Sequence, residues 1–311
     1  MVLGLIKKNE QEELEETINN EQTYPLIIFL LNIMPNYEQL YKFYKREYLT
    51  LKNQIGGKDM PKICLGTVQG HGSGVEAYLE QAYALGYRHI DCADAYIRPG
   101  YMEGLKSFIH QHDRSELWIT WKGSYLSRIP ETLKKLDCGY FDLYLIHHDR
   151  SCESSSLLAK LREYRKAGLI SEFGISNCNK LPKLLEYKIS FPELYALQIQ
   201  AFPDLDELIK AMSEAGVHVM LFGMVSGVVE AINREKIGYD ALDIVPNLVS
   251  WYIQKYPQSV PIVGTITGST LEVNMTSFNR IKSGRLVLSP EEFRKVESFL
   301  MRNRDKLAIM Y

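Results

Sequence analysis

A chain of 311 residues, 46% hydrophobic and 24% charged, has the material for two average domains or one large α/β barrel with a full core. Its net charge of −2, with no long basic run, excludes the electrostatic footprint of a nucleic-acid binder. Five scattered cysteines without a C-x-x-C pair exclude a disulfide framework and a structural zinc site, and fit a reducing, cytoplasmic compartment.

In chain order, the opening MVLGLIKKNEQEELEE turns acidic too early for a secretory signal, and the apolar core at 27–33 is about half the length of a bilayer span. No membrane association is expected. Residues 1–58 read as an extension of separate character, rich in Glu, Asn, Lys and Tyr. Its apolar run is open to several readings: a plug for the bottom of the following fold, a self-association contact, or a surface for a protein partner. After the hinge NQIGGKDM a different regime runs over 59–311.

There, strand-like runs alternate with helical stretches. The strands are expected at 61–66, 87–91, 117–121, 141–146, 170–176, 195–200, 217–223 and 260–264. Between them, GVEAYLEQAYALG puts Val75, Tyr78, Leu79 and Ala82 on one helical face and stops at Gly86. SRIPETLKKLDCG and ELIKAMSEAG also end in a glycine suited to a left-handed cap. The stretch 225–258 is long enough for a loop as well as a helix, and Ser289 caps a final helix outside the repeat. Eight strands alternating with helices predict a parallel (β/α)₈ TIM barrel.

Gly72-Ser73-Gly74-Val75-Glu76-Ala77 fits a dinucleotide fingerprint, with Asp91 in the place of the ribose-binding acid. The glycines begin several residues after the strand, however, and this reading leaves Tyr96, Lys122 and His147 without roles.

A second constellation absorbs those residues. In a parallel barrel the C-terminal strand ends share one face, where chemistry is assembled. The runs YRHI, LWITW and FDLYLI are followed by Asp91, Lys122 and His147, and Tyr96 lies on the loop leaving the second strand. Singly, each has a plain alternative: Asp91 a helix cap, Lys122 a rim charge, His147 half of a polar pair with His148, Tyr96 a packed ring. Their shared position at three consecutive strand ends favours a joint role. A carboxylate at such a place needs a partner, and Lys122 is the expected one. An ammonium beside the phenol is expected to bring its pKa down from the ordinary value of about 10. Tyr96 then protonates a forming alkoxide, while His147 donates to the substrate carbonyl oxygen.

With these residues in place, the chain from about 61 to 300 resembles the aldo-keto reductase superfamily. LGYRHIDCADAY is similar to that family's signature around its catalytic Asp and Tyr, LWITWKG to its lysine strand, and FDLYLIHH to its histidine strand. The resemblance implies a (β/α)₈ fold, NAD(P)H-dependent reduction of a small carbonyl compound, and a catalytic set of Asp91, Tyr96, Lys122 and His147. GLISEFGISNCN is similar to the family's GKIRAIGVSNF, which implies that Ser176, Asn177 and Gln198 bind the nicotinamide carboxamide. Phe222 stands where the family sets an aromatic ring against the nicotinamide face. Thr265, Ser269, Thr270 and Asn274 fall in the segment that meets phosphate, ribose and adenine.

The sequence departs from the pattern at Val273, Thr270 and Gly264; at the last two, many members carry an arginine or lysine for the 2′-phosphate. Family habit nevertheless favours NADP(H) over NAD(H). His148-Asp149 and FGMVSG also differ from the usual substrate-side residues, and the tail RDKLAIMY is short. The alternative is a reductase-like nicotinamide-binding regulatory or partner subunit with little turnover, motivated by the altered adenine end and the added N-terminal segment.

Overall fold

Eight short runs of apolar and β-branched residues pair strictly in chain order, each parallel to the next, and the last returns to the first. In the computed structural model, which describes residues 58–68, 74–147, 155–178, 180–235, 243–264 and 268–307, they close a barrel. The strands are β1 (Cys64–Gly66), β2 (His89–Ala93), β3 (Trp118–Gly123) and β4 (Phe141–Ile146), then β5 (Ile170–Ser176), β6 (Ala196–Gln200), β7 (His218–Phe222) and β8 (Val260–Val263). Closure is made by Cys64 opposite Ile262 and Leu65 opposite Val263.

The helices are α1 (Val75–Ala84), α2 (Tyr101–Gln111), α3 (Ile129–Leu136), α4 (Ser155–Lys166) and α5 (Leu181–Ser190). They continue as α6 (Asp206–Glu214), α7 (Ser226–Glu235), α8 (Leu248–Lys255), α9 (Gly268–Lys282) and α10 (Pro290–Arg302). Alternation along each strand divides the side chains. Outward residues such as Leu65, Ile90, Ile119 and Ile175 join the helices in one large core. Inward residues Cys64, Trp118, Leu143, Leu145, Met220 and Val260 fill the barrel itself. Nearer the mouth the inward residues turn polar: Asp91, Lys122, Ser176 and Gln198 are all buried.

The predicted face of α1 is the buried one, Val75, Tyr78, Leu79 and Ala82. Gly86 and Gly216 do adopt left-handed backbone after their helices. After α3 the left-handed cap is Asp137, at φ 54°, with Gly139 beyond it. Ser289 caps α10 in a full capping box with Glu292. Among the described residues of 225–258 there are two α-helices, α7 and α8, rather than one.

Two strands run past the ends that their polar residues suggested. β2 continues through Asp91 to Ala93, and β3 includes Lys122 and ends at Gly123. Both charges therefore lie inside the ladder, with Ala93 opposite Lys122. A charge interrupts an apolar pattern in sequence, but paired with its opposite it does not interrupt the strand.

The bottom is tied together by charge. Asp142 accepts from Lys58 and Arg114, each at 2.7 Å, and from the backbone N–H of Ile119 at 2.8 Å. Across the mouth, Gln200 donates to the Leu307 carbonyl at 2.9 Å, and Arg304 pairs with Asp204 at 2.5 Å. Residues 304–307 are thus fastened to β6 and the loop after it. Among the described residues no helix is long and apolar enough to cross a membrane. Residues 1–57, Gly72, Ser73, His148, Asp149 and Thr265, to which expectations were attached, lie outside the described residues.

Candidate active site

The centre of the mouth is an ion pair. Lys122 Nζ donates to Asp91 Oδ2, with side-chain exposures of only 2% and 4%. Neither charge is tolerable alone at this depth. The other carboxylate oxygen, Asp91 Oδ1, accepts from Gln198 Nε2 at 2.8 Å. Gln198 Oε1 in turn accepts from Ser176 Oγ at 3.1 Å. Strands β2, β3, β5 and β6 thus deliver one connected polar layer.

Tyr96 ends the one-turn 3₁₀ helix Asp94–Tyr96 that follows β2. Its half-buried ring packs on the helix-facing core. Lys122 Nζ stands 4.9 Å from the ring centroid. The phenol and the ammonium are therefore neighbours at the mouth, as the strand-end argument requires.

The direction of the phenol's acidity differs from expectation. Burial raises it most, and although the charge of Lys122 and a hydrogen bond from it pull down, the pKa is pushed up to about 12. Packing the ring withholds from a phenolate the water that would stabilise it, and a single ammonium does not compensate. At neutral pH Tyr96 is thus fully protonated, which is the state a proton donor needs. For Lys122, burial works against the charge, but Asp91 and then Tyr96 outweigh it and hold the ammonium above the ordinary lysine value. The ammonium persists.

His147 follows β4, half-buried. Its backbone bridges the mouth: its N–H donates to Gly123 O at 3.1 Å, and its carbonyl accepts from Asn177 Nδ2 at 2.7 Å. Asn177 has left-handed backbone at φ 64°, uncommon for a non-glycine residue, and its N–H donates to Gln198 O at 2.9 Å. Phe222 closes β7 opposite Gln200 and packs on the barrel interior.

Ser269 and Thr270 are exposed in the first turn of α9, and Asn274 is buried one turn further on. These three form a second group, apart from the ion pair in sequence and on a different element.

The amide set fits a nicotinamide carboxamide. Gln198 uses one N–H and one lone pair on Asp91 and Ser176, which leaves a second of each, and Asn177 has its Oδ1 besides the bonded Nδ2.

Sequence reasoning missed several participants. It did not find the Gln198–Asp91 bond, because nothing local links residues on β2 and β6. It also missed His89, which lies beneath the ion pair with Nε2 2.8 Å from Thr120 Oγ1 and is held neutral by burial, its pKa lowered to about 3. Asp94, whose carboxylate accepts from Trp121 Nε1 at 2.8 Å, went unnoticed too. A second aspartate just ahead of the tyrosine in DCADAY was the available signal.

The family profile described as "Aldo/keto reductase family" matches residues 62–237. The human protein "Aldo-keto reductase family 1 member A1" is 26% identical over 295 residues, covering 78% of this chain and 86% of that one. "Aldose reductase" of Encephalitozoon cuniculi is 26% identical over 198 residues, 53% of this chain and 66% of its own. Among solved structures, a putative 2,5-diketo-D-gluconic acid reductase B has a TM-score of 0.63 at 23% identity, covering 82% of this chain and 92% of its own. Aldose reductase from Giardia lamblia has a TM-score of 0.60 at 20% identity, with coverages of 78% and 93%. At these identities the structural likeness carries the fold.

Proposed function

The chain belongs to the aldo/keto reductase family, and from that premise we propose that it reduces an aldehyde or ketone to the alcohol, with Tyr96 as general acid. Family membership supports an NAD(P)H-dependent oxidoreductase. The observation that carries the finer reading is the buried Lys122 ammonium, held by Asp91 and facing the Tyr96 ring at 4.9 Å.

A bound nicotinamide supplies the hydride that adds to the carbonyl carbon. As negative charge collects on the substrate oxygen, the Tyr96 O–H bond breaks and its proton forms the alcohol O–H. Lys122 stabilises the phenolate left behind, which regains a proton from solvent. Asp91 and Gln198 keep that ammonium charged and aimed. His147 donates to the carbonyl oxygen and sets its approach. A phenol with a pKa of about 12 is still more acidic than the alcohol it creates, so the transfer runs downhill toward reduction.

Ser176, Asn177 and Gln198 hold the carboxamide, Phe222 covers the ring, and Thr265, Ser269, Thr270 and Asn274 serve the other half of the dinucleotide. Family habit supports NADP(H) over NAD(H). Thr270 and Gly264 bring no cation to a 2′-phosphate, and the basic residues Arg280 and Lys282 are in the last turn of α9, so the expected preference is small. Exposed Val68, Ile97 and Tyr125 on the loops after β1, β2 and β3 support an apolar or aromatic carbonyl as substrate. Cytoplasmic placement fits the buried free thiols of Cys64, Cys92, Cys138 and Cys178.

The test is to follow nicotinamide absorbance with nitrobenzaldehyde and other aldehydes and ketones, alongside fluorescence titrations with NADPH and NADH. Turnover lost in Tyr96→Phe with cofactor binding retained is expected. Inactivity of the wild-type protein across the carbonyl panel and in alcohol oxidation contradicts the reading.

A further inference from the structure

The 3₁₀ turn that carries Tyr96 has only three residues, Asp94–Tyr96, and something must hold it in place. Its first residue reaches back to the outer side of β3. Asp94 Oδ1 accepts the indole N–H of Trp121 at 2.8 Å. Its other oxygen stands over Gly123, where an added Cβ would meet Asp94 Oδ2 at 2.7 Å and Tyr144 Oη at 2.6 Å. Any side chain at position 123 displaces one of them. Tyr144 is buried, and burial followed by the Asp94 charge holds its phenol protonated. Trp121 is equally fixed: it is buried and stacked on Phe141 with centroids 5.2 Å apart.

The pleat gives this anchor its consequence. Trp121 and Lys122 are consecutive in β3, so they face opposite sides of the sheet. Trp121 lies in the helix-facing core, while Lys122 meets Asp91 within the barrel. One strand therefore grips the turn from behind and presents the ammonium to the phenol from inside. We propose that Asp94, through Trp121 and the space left by Gly123, is a positioning residue that sets the approach of Tyr96 to Lys122. This inference rests on Tyr96 being the proton donor. It concerns placement and not chemistry: Asp94 touches the turn and β3.

The full-length variants Asp94→Ala, Asp94→Asn, Trp121→Phe and the double variant Asp94→Ala/Trp121→Phe provide the test, assayed with NADPH and nitrobenzaldehyde. Asp94→Ala and Trp121→Phe should each lower kcat about tenfold, the size of effect small misplacements produce, with the Kd for NADPH unchanged. The double variant should lose no more than the worse single one. Asp94→Asn keeps the acceptor oxygen and should recover most of the loss. The carbon resonance of Tyr96, assigned with Tyr96→Phe, should titrate at a higher pH in Asp94→Ala because the ammonium is less well placed.

Wild-type kcat in Asp94→Ala, losses that multiply in the double variant, or an Asp94→Asn as slow as Asp94→Ala each overturn the positioning role and leave the proton-donor reading standing. A wild-type protein that turns over no carbonyl removes the proton-donor reading instead. The Tyr96 titration then decides positioning by itself: an upward shift in Asp94→Ala supports it, and an unchanged or lowered value overturns it.

Discussion

Asp91 and Asp142 are both buried carboxylates on strands of one barrel, and they are held in opposite ways. Asp142, at the bottom, takes Lys58, Arg114 and the Ile119 N–H. Those cations turn their remaining donors to backbone: Lys58 to Leu117 O, and Arg114 to Leu117, Tyr140 and Cys138 carbonyls. Every bond there closes on the scaffold. Asp91, near the mouth, takes Lys122 and Gln198, and these lead outward, Lys122 to the Tyr96 phenol and Gln198 to the Ser176 hydroxyl. A buried charge whose partners end on backbone is a fastening. One whose partners end on a phenol at the mouth is placed for the proton transfer proposed above. The division matches the general separation of stability and chemistry between the two faces of such barrels.

The largest expected effect is at the mouth. Tyr96→Phe should lower kcat by about 10²–10⁴-fold, the range for a lost general acid, with the melting temperature unchanged. A variant that melts early but turns over normally reverses the assignment of the two ends.

Next comes the bottom. Asp142→Asn leaves Lys58 and Arg114 without their counter-charge and should cost roughly 3 kcal/mol in denaturant unfolding, with kcat preserved. Loss of catalysis at retained stability contradicts the comparison.

Per unit of pH, the smallest effect comes from a buried histidine. His89 lies between the two ends, and burial, its strongest influence, lowers its pKa from 6.5 to about 3. Because the folded value is the depressed one, its contribution to stability is complete above 6.5 and is lost as pH falls toward 3. The unfolded chain takes up a proton there that the folded chain refuses, which costs about 1.4 kcal/mol per pH unit. His89→Gln, which cannot titrate, should flatten that acid slope when unfolding is measured between these limits. An unchanged slope removes His89 from the account.

These contrasts also show what was legible in the residues. The barrel and the meeting of Asp91, Lys122 and Tyr96 were readable, because alternation, glycine stops and a polar residue after each apolar run are local signals. The extents of β2 and β3 were not, since Asp91 and Lys122 look like strand ends until each is known to neutralise the other. The direction of the Tyr96 shift was also out of reach. A phenol near an ammonium reads as acidified, and only packing reveals how much water the ring has lost. Asp94 stayed silent for a third reason: its partner Trp121 faces the helices and looks in sequence like one more core aromatic.

The central claim is that the Lys122 charge acts on the Tyr96 phenol. It is tested most directly by titrating the Tyr96 carbon resonance in the wild-type protein and in Lys122→Met. With the downward pull of the ammonium gone, the Tyr96 pKa should rise above its wild-type value of about 12. A value that stays the same or falls contradicts the account.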